Sequence, residues 1–377
     1  MSAGSVAAAG EAGRQPNSYD AVRLAAALAV LFGHSFVLLG ALDPVSQILV
    51  RVTGWGEKLH ELAVNVFFAL SGYLVTLSWL RRGDVAYFAA ARVLRIFPAA
   101  ILVCVLTVIG GAAFTTLPLA EYATAEGTWR FLVRNILLMK IEYHLPGVFA
   151  ENPFPRVVNG SLWTLPYELR LYALTALLGL AGVLRRRWAF NLLFGLAVLD
   201  YLLPQVALMR DGETGWRLWL HFFGGAALAV NRDRVRPHGR VTLALVALAL
   251  VTAGLAPAAL HKLACVAATV FATHWIGQAG GLGRFDPGRR GDLSYGVYLY
   301  ACPVQQGLIA LAPAAWNGWS LTVAALPIVF VLAALSWHLV ERPALARKDA
   351  AAASIHAGLR RLRALAWRRP ATPPAGR

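Results

Sequence analysis

The chain has 377 residues, of which 58% are hydrophobic and 14% charged, with a mean hydropathy of +0.58. Soluble domains carry about one quarter charged residues. A core of this size has no room for so much apolar surface, so the composition excludes a water-soluble globule and points to lipid as the solvent. The net charge of +16 does not signal nucleic acid. No basic stripe with interleaved aromatics lies outside the apolar runs, and the arginines fill the short gaps between those runs, where positive charge sets topology.

Residues 1–18, MSAGSVAAAGEAGRQPNS, place Glu11 ahead of any apolar run and read as a disordered arm rather than a cleaved signal peptide. A helix that crosses a bilayer needs about 20 mostly apolar residues. Ten segments qualify, at about 19–42, 59–80, 96–114, 162–183, 188–204, 216–231, 240–256, 258–278, 292–312 and 319–340, the fifth and sixth being short. The segment 128–145 carries Arg134 and Lys140 and reads as an amphipathic or re-entrant helix. The expected fold is therefore an all-α integral membrane protein of about ten transmembrane helices. Its membrane domain occupies 19–343 and a basic tail 344–377.

The loops test that count. Arg81, Arg82, Arg92 and Arg95 fall between the second and third spans, and Arg185, Arg186 and Arg187 follow the fourth. Arg232, Arg234, Arg236 and Arg240 follow the sixth, Arg284, Arg289 and Arg290 the eighth, and Arg347 and Lys348 the tenth. The alternate loops are balanced: 115–161 mixes Glu121, Glu126, Glu142 and Glu151 with its basic residues, and 205–215 sets Arg210 against Asp211 and Glu213. Every basic loop thus lands on one side, which places both termini in the cytoplasm. The tail, with Arg360, Arg361, Arg363, Arg368 and Arg369, suits anionic headgroups in part, and its end reads as disordered.

Cys104, Cys265 and Cys302 are far apart inside apolar runs, a spacing that suggests neither a disulfide framework nor a metal site. The polar residues inside the spans are more informative. In RLAAALAVLFGH, Arg23 and His34 are eleven steps apart, so they differ by about 20° around a helix and lie about 16 Å apart along it. Ionisable groups at such depth face protein or water, so this stripe is expected to line a cavity. In ARVLRIFP, Arg92 and Arg95 share a helical face just ahead of Pro98, which suits the start of a span. Paired guanidinium groups at that boundary match phosphate oxygens, and ordinary positive-inside anchoring is the competing reading. In NGSLWTLPYELRLY, Ser161 or Thr164 is a candidate cap and Pro166 suits the first turn. Counting by helical rise puts Glu168 about 9 Å and His34 about 12 Å below the same surface, so the two would meet as an acid–base pair if the first and fourth spans are close.

These stretches, YDAVRLAAALAVLFGHS, VFFALSGYLV, RVLRIFP, GSLWTLPYE, LSYGVYLY and SWHLVERP, together resemble the membrane-bound acyltransferase-3 family over about 19–345. The resemblance implies O-acylation of carbohydrates or other acceptors from an acyl-CoA donor, usually acetyl-CoA, with no tightly bound cofactor and no metal. It implies that Arg23 and His34 are essential and that Arg92 and Arg95 recognise the donor. The tryptophan and glutamate of the motif fall on Trp163 and Glu168, and Ser161, Tyr167 and Asn65 are further candidates for acceptor binding. Two departures stand out. Asn65 sits two positions before the Phe pair, where relatives often carry an acid. Where relatives often carry a histidine, this chain has Ala301, with Gln305 and Gln306 nearby.

The expected activity is transfer of an acyl group, with His34 as general base oriented by Glu168; an acyl-histidine intermediate fits equally. The donor would enter from the cytoplasm, with a glycan or glycolipid acceptor at a plasma-membrane enzyme. The rival reading is a transporter or flippase of a lipid-linked sugar that uses the same polar residues as a path.

Overall fold

The computed structural model describes residues 18–53, 57–203, 212–279 and 291–366. The expected N-terminal arm up to residue 17, Arg210 and Asp211, the loop with Arg284, Arg289 and Arg290, and the tail beyond 366 lie outside them. The described residues are helical, with a single isolated bridge between Thr115 and Val148.

In chain order the helices are α1 (Tyr19–Val37), α2 (Pro44–Thr53), α3 (Leu59–Arg82), α4 (Val85–Gly111), α5 (Leu119–Thr124), α6 (Glu126–Leu137) and α7 (Leu165–Leu180). They continue as α8 (Arg187–Leu202), α9 (Gly212–Val230), α10 (Gly239–Thr252), α11 (Ala258–Gln278), α12 (Ser294–Leu311) and α13 (Gly318–Ser336). A π turn, Trp337–Glu341, leads into α14 (Arg342–Ala346) and α15 (Lys348–Ala366). Each of the ten apolar segments is a helix. Five stretches, Tyr19–Val37, Leu59–Arg82, Val85–Gly111, Ala258–Gln278 and Gly318–Ala346, are long and apolar enough to cross a membrane. The other five segments form helices too short or too polar to meet that standard by themselves.

The largest boundary correction is α4. Sequence placed its start at about 96, with Pro98 in the first turn, but the helix begins at Val85. Gly83, with φ +60°, ends α3 in the left-handed conformation, and its N–H returns to the Trp79 carbonyl. Asp84 then caps α4 by accepting from the Ala86 and Tyr87 amides at 2.9 and 3.2 Å. A turn this tight leaves no loop, so Arg92 and Arg95 are interior positions of α4 and Pro98 lies mid-helix.

The approach to α7 also differs from expectation. A 3-10 turn, Gly160–Thr164, precedes the helix, and Asn159 caps it by accepting from the Ser161 amide at 3.1 Å. Neither Ser161 nor Thr164 caps: the Thr164 hydroxyl bonds the Tyr298 hydroxyl at 2.9 Å instead. Pro166 does occupy the first turn of α7. The expected amphipathic segment is the 12-residue α6, closed by Leu138 at φ 51°.

Helices α3 and α9 touch backbone to backbone. A Cβ added at Gly72 would overlap the Phe222 carbonyl, and one at Gly225 would overlap the Ala69 carbonyl. Small residues permit this approach, which packs lipid-solvated helices without help from the hydrophobic effect. Part of the basic tail forms α15, which docks on α4: His356 Nε2 lies 3.1 Å from Asp84, Arg82 lies 3.2 Å from Asp349, and Ala352 is buried.

Gly225→Val is expected to destabilise the purified protein by about 2 kcal/mol, a usual cost of overpacking. In a detergent thermal-shift measurement it should lower the midpoint clearly. Gly195→Val, at a glycine with no neighbouring heavy atom within 4 Å of an added Cβ, should leave the midpoint nearly unchanged.

Candidate active site

The polar residues inside the bundle line two cavities. The first, about 440 Å³, takes Arg23 from α1, Arg92 and Arg95 from α4, Glu168 and Tyr172 from α7, and Tyr295 from α12. Lys348, at the start of α15, also lines it. The second, about 330 Å³, takes His34 from α1, His60 and Glu61 from α3, Trp163 from the 3-10 turn and Arg217 from α9. Residues of α1, α3, the α7 approach and α12 each pass from one cavity to the other along the chain. The cavities therefore lie toward opposite ends of these helices. The lining of the first cavity also holds the Thr164–Tyr298 hydroxyl pair at 2.9 Å, with Phe67 edge-on to Tyr298 at 5.8 Å between ring centres.

In the first cavity Asp292 is the hub. Its carboxylate meets Arg95 at 2.5 Å and Arg23 at 3.5 Å, and it accepts from the Ser294 hydroxyl at 2.5 Å. Arg23 also meets Asp20 at 3.4 Å, and Arg95 meets Glu341 at 3.9 Å. Glu341 is held by Ser336 at 2.8 Å. This cluster ties α1, α4, α12 and the π turn together, and three carboxylates face two guanidinium groups.

Arg92 is different. It is held by rings, with its guanidinium carbon 5.6 Å from the Tyr172 ring centre and 5.9 Å from that of Phe88, and its Nε is buried without a hydrogen-bond partner. Sequence paired Arg92 with Arg95 as one phosphate fork. They do share the cavity, but Arg95 is already bonded to acids, and Arg92 is the guanidinium with unspent donors.

The expected Glu168–His34 pair does not form. Glu168 accepts from the Tyr172 hydroxyl in the first cavity, while His34 lines the second. The depth count failed because it began at the membrane surface. Asn159, Ser161 and Leu162 are buried at 0–1% exposure, so α7 starts inside the protein, and a count from a free helix end does not locate Glu168.

The neighbour of His34 is His60, at 5.3 Å between ring centres, and the Nδ1 atoms of both are buried without a partner. Sequence reasoning missed His60 because it sits at the edge of a predicted span, where a histidine reads as interfacial. It missed Asp292 and Glu341 although both belong to or adjoin quoted motifs. An acid bordering an apolar run beside interior arginines was the available signal.

Trp163 lines the second cavity, edge-on to Tyr167 at 6.0 Å, and Arg170 stacks over Tyr167 at 5.5 Å. Ser161 is buried with its hydroxyl unpartnered. Asn65 is fully buried and lines neither cavity; its amide donates to Glu57, which meets Arg217 at 3.5 Å. Asn65 therefore supports Arg217 rather than reaching the cavity itself. Gln305 donates to the Leu31 carbonyl at 2.7 Å and the Ser35 hydroxyl at 2.6 Å, bracing α1 around His34. Gln306 donates to the Phe154 and Val157 carbonyls at 2.9 and 2.7 Å, fixing the loop ahead of the 3-10 turn.

An acyltransferase domain, that of the acyltransferase-3 family, matches residues 17–338. The chain belongs to that family. It is 31% identical over 347 residues to the O-acetyl transferase of Shigella phage Sf6, covering 88% of this chain and 97% of the relative. It is also 31% identical over 365 residues to Nodulation protein 10 of Rhizobium leguminosarum bv. viciae, covering 87% and 93%. No solved structure matches the chain significantly. Membership and apolar helices together support a multi-pass membrane O-acyltransferase.

Two tests follow from the charge arrangement. Asp292→Ala leaves Arg23 and Arg95 without their shared carboxylate. A fully dry pair would lose about 3–5 kcal/mol. The three side chains are 15–25% exposed, so about 2 kcal/mol is expected, read as a lower thermal midpoint in detergent. Glu57 has its carboxyl raised by burial, against the pull of Arg217, from 4.5 to about 7. A raised folded-state value means that its contribution is fully present below the unfolded value and is lost as pH rises through about 7. The wild-type thermal midpoint should carry a declining component between about pH 5 and 7, and Glu57→Gln should remove it.

Proposed function

We propose that the chain is a plasma-membrane acetyltransferase of ten spans with both termini cytoplasmic, its membrane domain covering 19–343. It moves an acetyl group from acetyl-CoA to a hydroxyl of a glycan or glycolipid. The observation that carries this reading is Arg92: a buried guanidinium with an unpartnered nitrogen, in a cavity where the other arginines are already matched by acids. A donor with several phosphates supplies the oxygens that such a group lacks. The cavity mouth at Lys348 and Tyr87 adjoins the basic tail, the side assigned to the cytoplasm.

The acceptor occupies the second cavity, where Trp163 offers a ring face to a sugar, Tyr167 packs edge-on against that ring, and the unpartnered Ser161 hydroxyl lies two residues before it. His34 takes the proton of the acceptor hydroxyl as general base. The thioester reaches it from the first cavity past the Thr164–Tyr298 hydroxyl pair, with Arg23 and Arg95 fixing the helices around the path. Glu168 and Tyr172 form the donor-side wall beside Arg92. Acceptor oxygen attacks the thioester carbonyl, the C–S bond breaks, and the hydroxyl proton ends on the coenzyme A sulfur.

The decisive experiment supplies labelled acetyl-CoA to purified protein with glycan extracts, alongside surface-glycan masses from cells with and without the protein. No transfer to any extract, with no acetyl mass lost from the glycans, would refute the reading. His34→Ala should lower kcat by about 10²–10⁴, the range of a lost acid–base group; an unchanged rate would remove His34 from the mechanism. Arg92→Ala should raise the apparent KM for acetyl-CoA by roughly tenfold or more, the equivalent of one charge-assisted hydrogen bond.

A further inference from the structure

The cations that line the first cavity are matched unequally. Arg23 and Arg95 share the Asp292 carboxylate, at 3.5 and 2.5 Å. Arg92 is held by the rings of Tyr172 and Phe88. Lys348, half-buried at the start of α15, lines the same cavity beside Leu345. Among the described residues Lys348 forms no ion pair, because the neighbouring Asp349 carboxylate goes to Arg82 at 3.2 Å. The Lys348 ammonium lies instead 5.9 Å from the ring centre of Tyr87, another cavity residue, whose ring also carries the Arg82 guanidinium at 3.7 Å.

Topology asks only that positive charge follow the last span. It does not ask that the charge be held in place, and Lys348 is held. His356 Nε2 lies 3.1 Å from both carboxylate oxygens of Asp84, Asp349 grips Arg82, and Ala352 is buried. These contacts fall in the first half of α15, so they fix the end that carries Lys348. A cation docked at a cavity mouth without a carboxylate is placed for an anion that arrives from outside.

Tyr87 precedes Arg92 by five residues on α4, about 7–8 Å along the helix. The cavity therefore offers two unmatched cations at two levels, Arg92 inside and Lys348 at the mouth. Coenzyme A carries phosphate at two places on one ribose. The pyrophosphate at the 5′ carbon leads to the pantetheine arm, and a single phosphate sits on the 3′ carbon. With the arm directed inward to His34, the pyrophosphate lies deeper and the 3′-phosphate nearer the mouth. A lysine on a flexible stem suits a terminal phosphate as a point charge.

We infer that Lys348 binds the ribose 3′-phosphate of the donor, while Arg92 takes the pyrophosphate. This rests on the coenzyme A donor proposed above. The tail helix then contributes to donor choice: a thioester on a bare phosphopantetheine arm lacks the 3′-phosphate and loses this contact.

The test uses the full-length protein, an accepted glycan and two donors, acetyl-CoA and acetyl-dephospho-CoA, which lacks only the 3′-phosphate. The wild-type KM for acetyl-dephospho-CoA is expected to be about tenfold or more above that for acetyl-CoA, the equivalent of one charge-assisted hydrogen bond. Lys348→Gln should raise the KM for acetyl-CoA by a similar factor and bring the ratio of the two KM values close to one. A lysine that only braced the fold would leave that ratio at its wild-type value, because its loss would weaken both donors alike. A preserved ratio would overturn the subsite. Equal KM values for the two donors in the wild-type protein would also overturn it, with no variant needed. Absence of turnover with either donor would instead refute acyl transfer, and the subsite with it.

Discussion

The structure depends on one carboxylate. Asp292 holds Arg95 at 2.5 Å and Arg23 at 3.5 Å, and these belong to helices far apart in the chain. A lipid-solvated bundle gains little from apolar burial between helices, because the surrounding lipid is equally apolar. Charge matching inside the bundle is then among the forces that fix relative helix positions. The same matching decides what is left over. Once Asp20, Asp292 and Glu341 are assigned to Arg23 and Arg95, Arg92 is the cavity guanidinium held by rings alone, and the proposed anion site rests on that subtraction.

The all-α class and the positions of the ten apolar segments were legible because both rest on composition over windows of about 20 residues, a signal that single residues scarcely disturb. The α4 boundary was not. Its start is set by Gly83 and Asp84, two residues of local backbone chemistry, and averaging over a window erases them. Reading Asp84 as a cap would have placed Arg92 and Arg95 inside the helix from the outset. The shared cavity of Arg23, Arg92 and Arg95 was foreseen only in part. Periodicity says which residues share a face of one helix, but not which other helix that face meets.

The misplaced Glu168 follows from the same limit. Rise along an axis gives depth if the helix begins at the membrane surface, and α7 begins on a buried 3-10 turn capped by Asn159. Nothing in the periodicity of NGSLWTLPYELRLY reveals that burial. Asn65 shows the converse case. Its position beside the Phe pair suggested the cavity, yet its amide is spent on Glu57 and its influence reaches the cavity through Arg217.

The separation of the two cavities gives the arrangement its logic. Phosphate recognition calls for strong fixed positive charge, while a general-base histidine must stay neutral until it acts. Positive charge close to His34 would oppose its protonation, the step on which base catalysis depends. Placing Arg23, Arg92 and Arg95 in one cavity and His34 with His60 in another keeps these requirements apart, with the hydroxyls and rings of Thr164, Tyr298 and Phe67 lining the first. Arg217, the cation that shares the histidine cavity, lies 3.5 Å from Glu57. On the proposed reading, an uncharged thioester arm would pass between these side chains while Arg92 would retain the phosphates of its carrier. The ten-residue gap between Arg23 and His34 is then the length over which one helix connects the charged compartment to the neutral one.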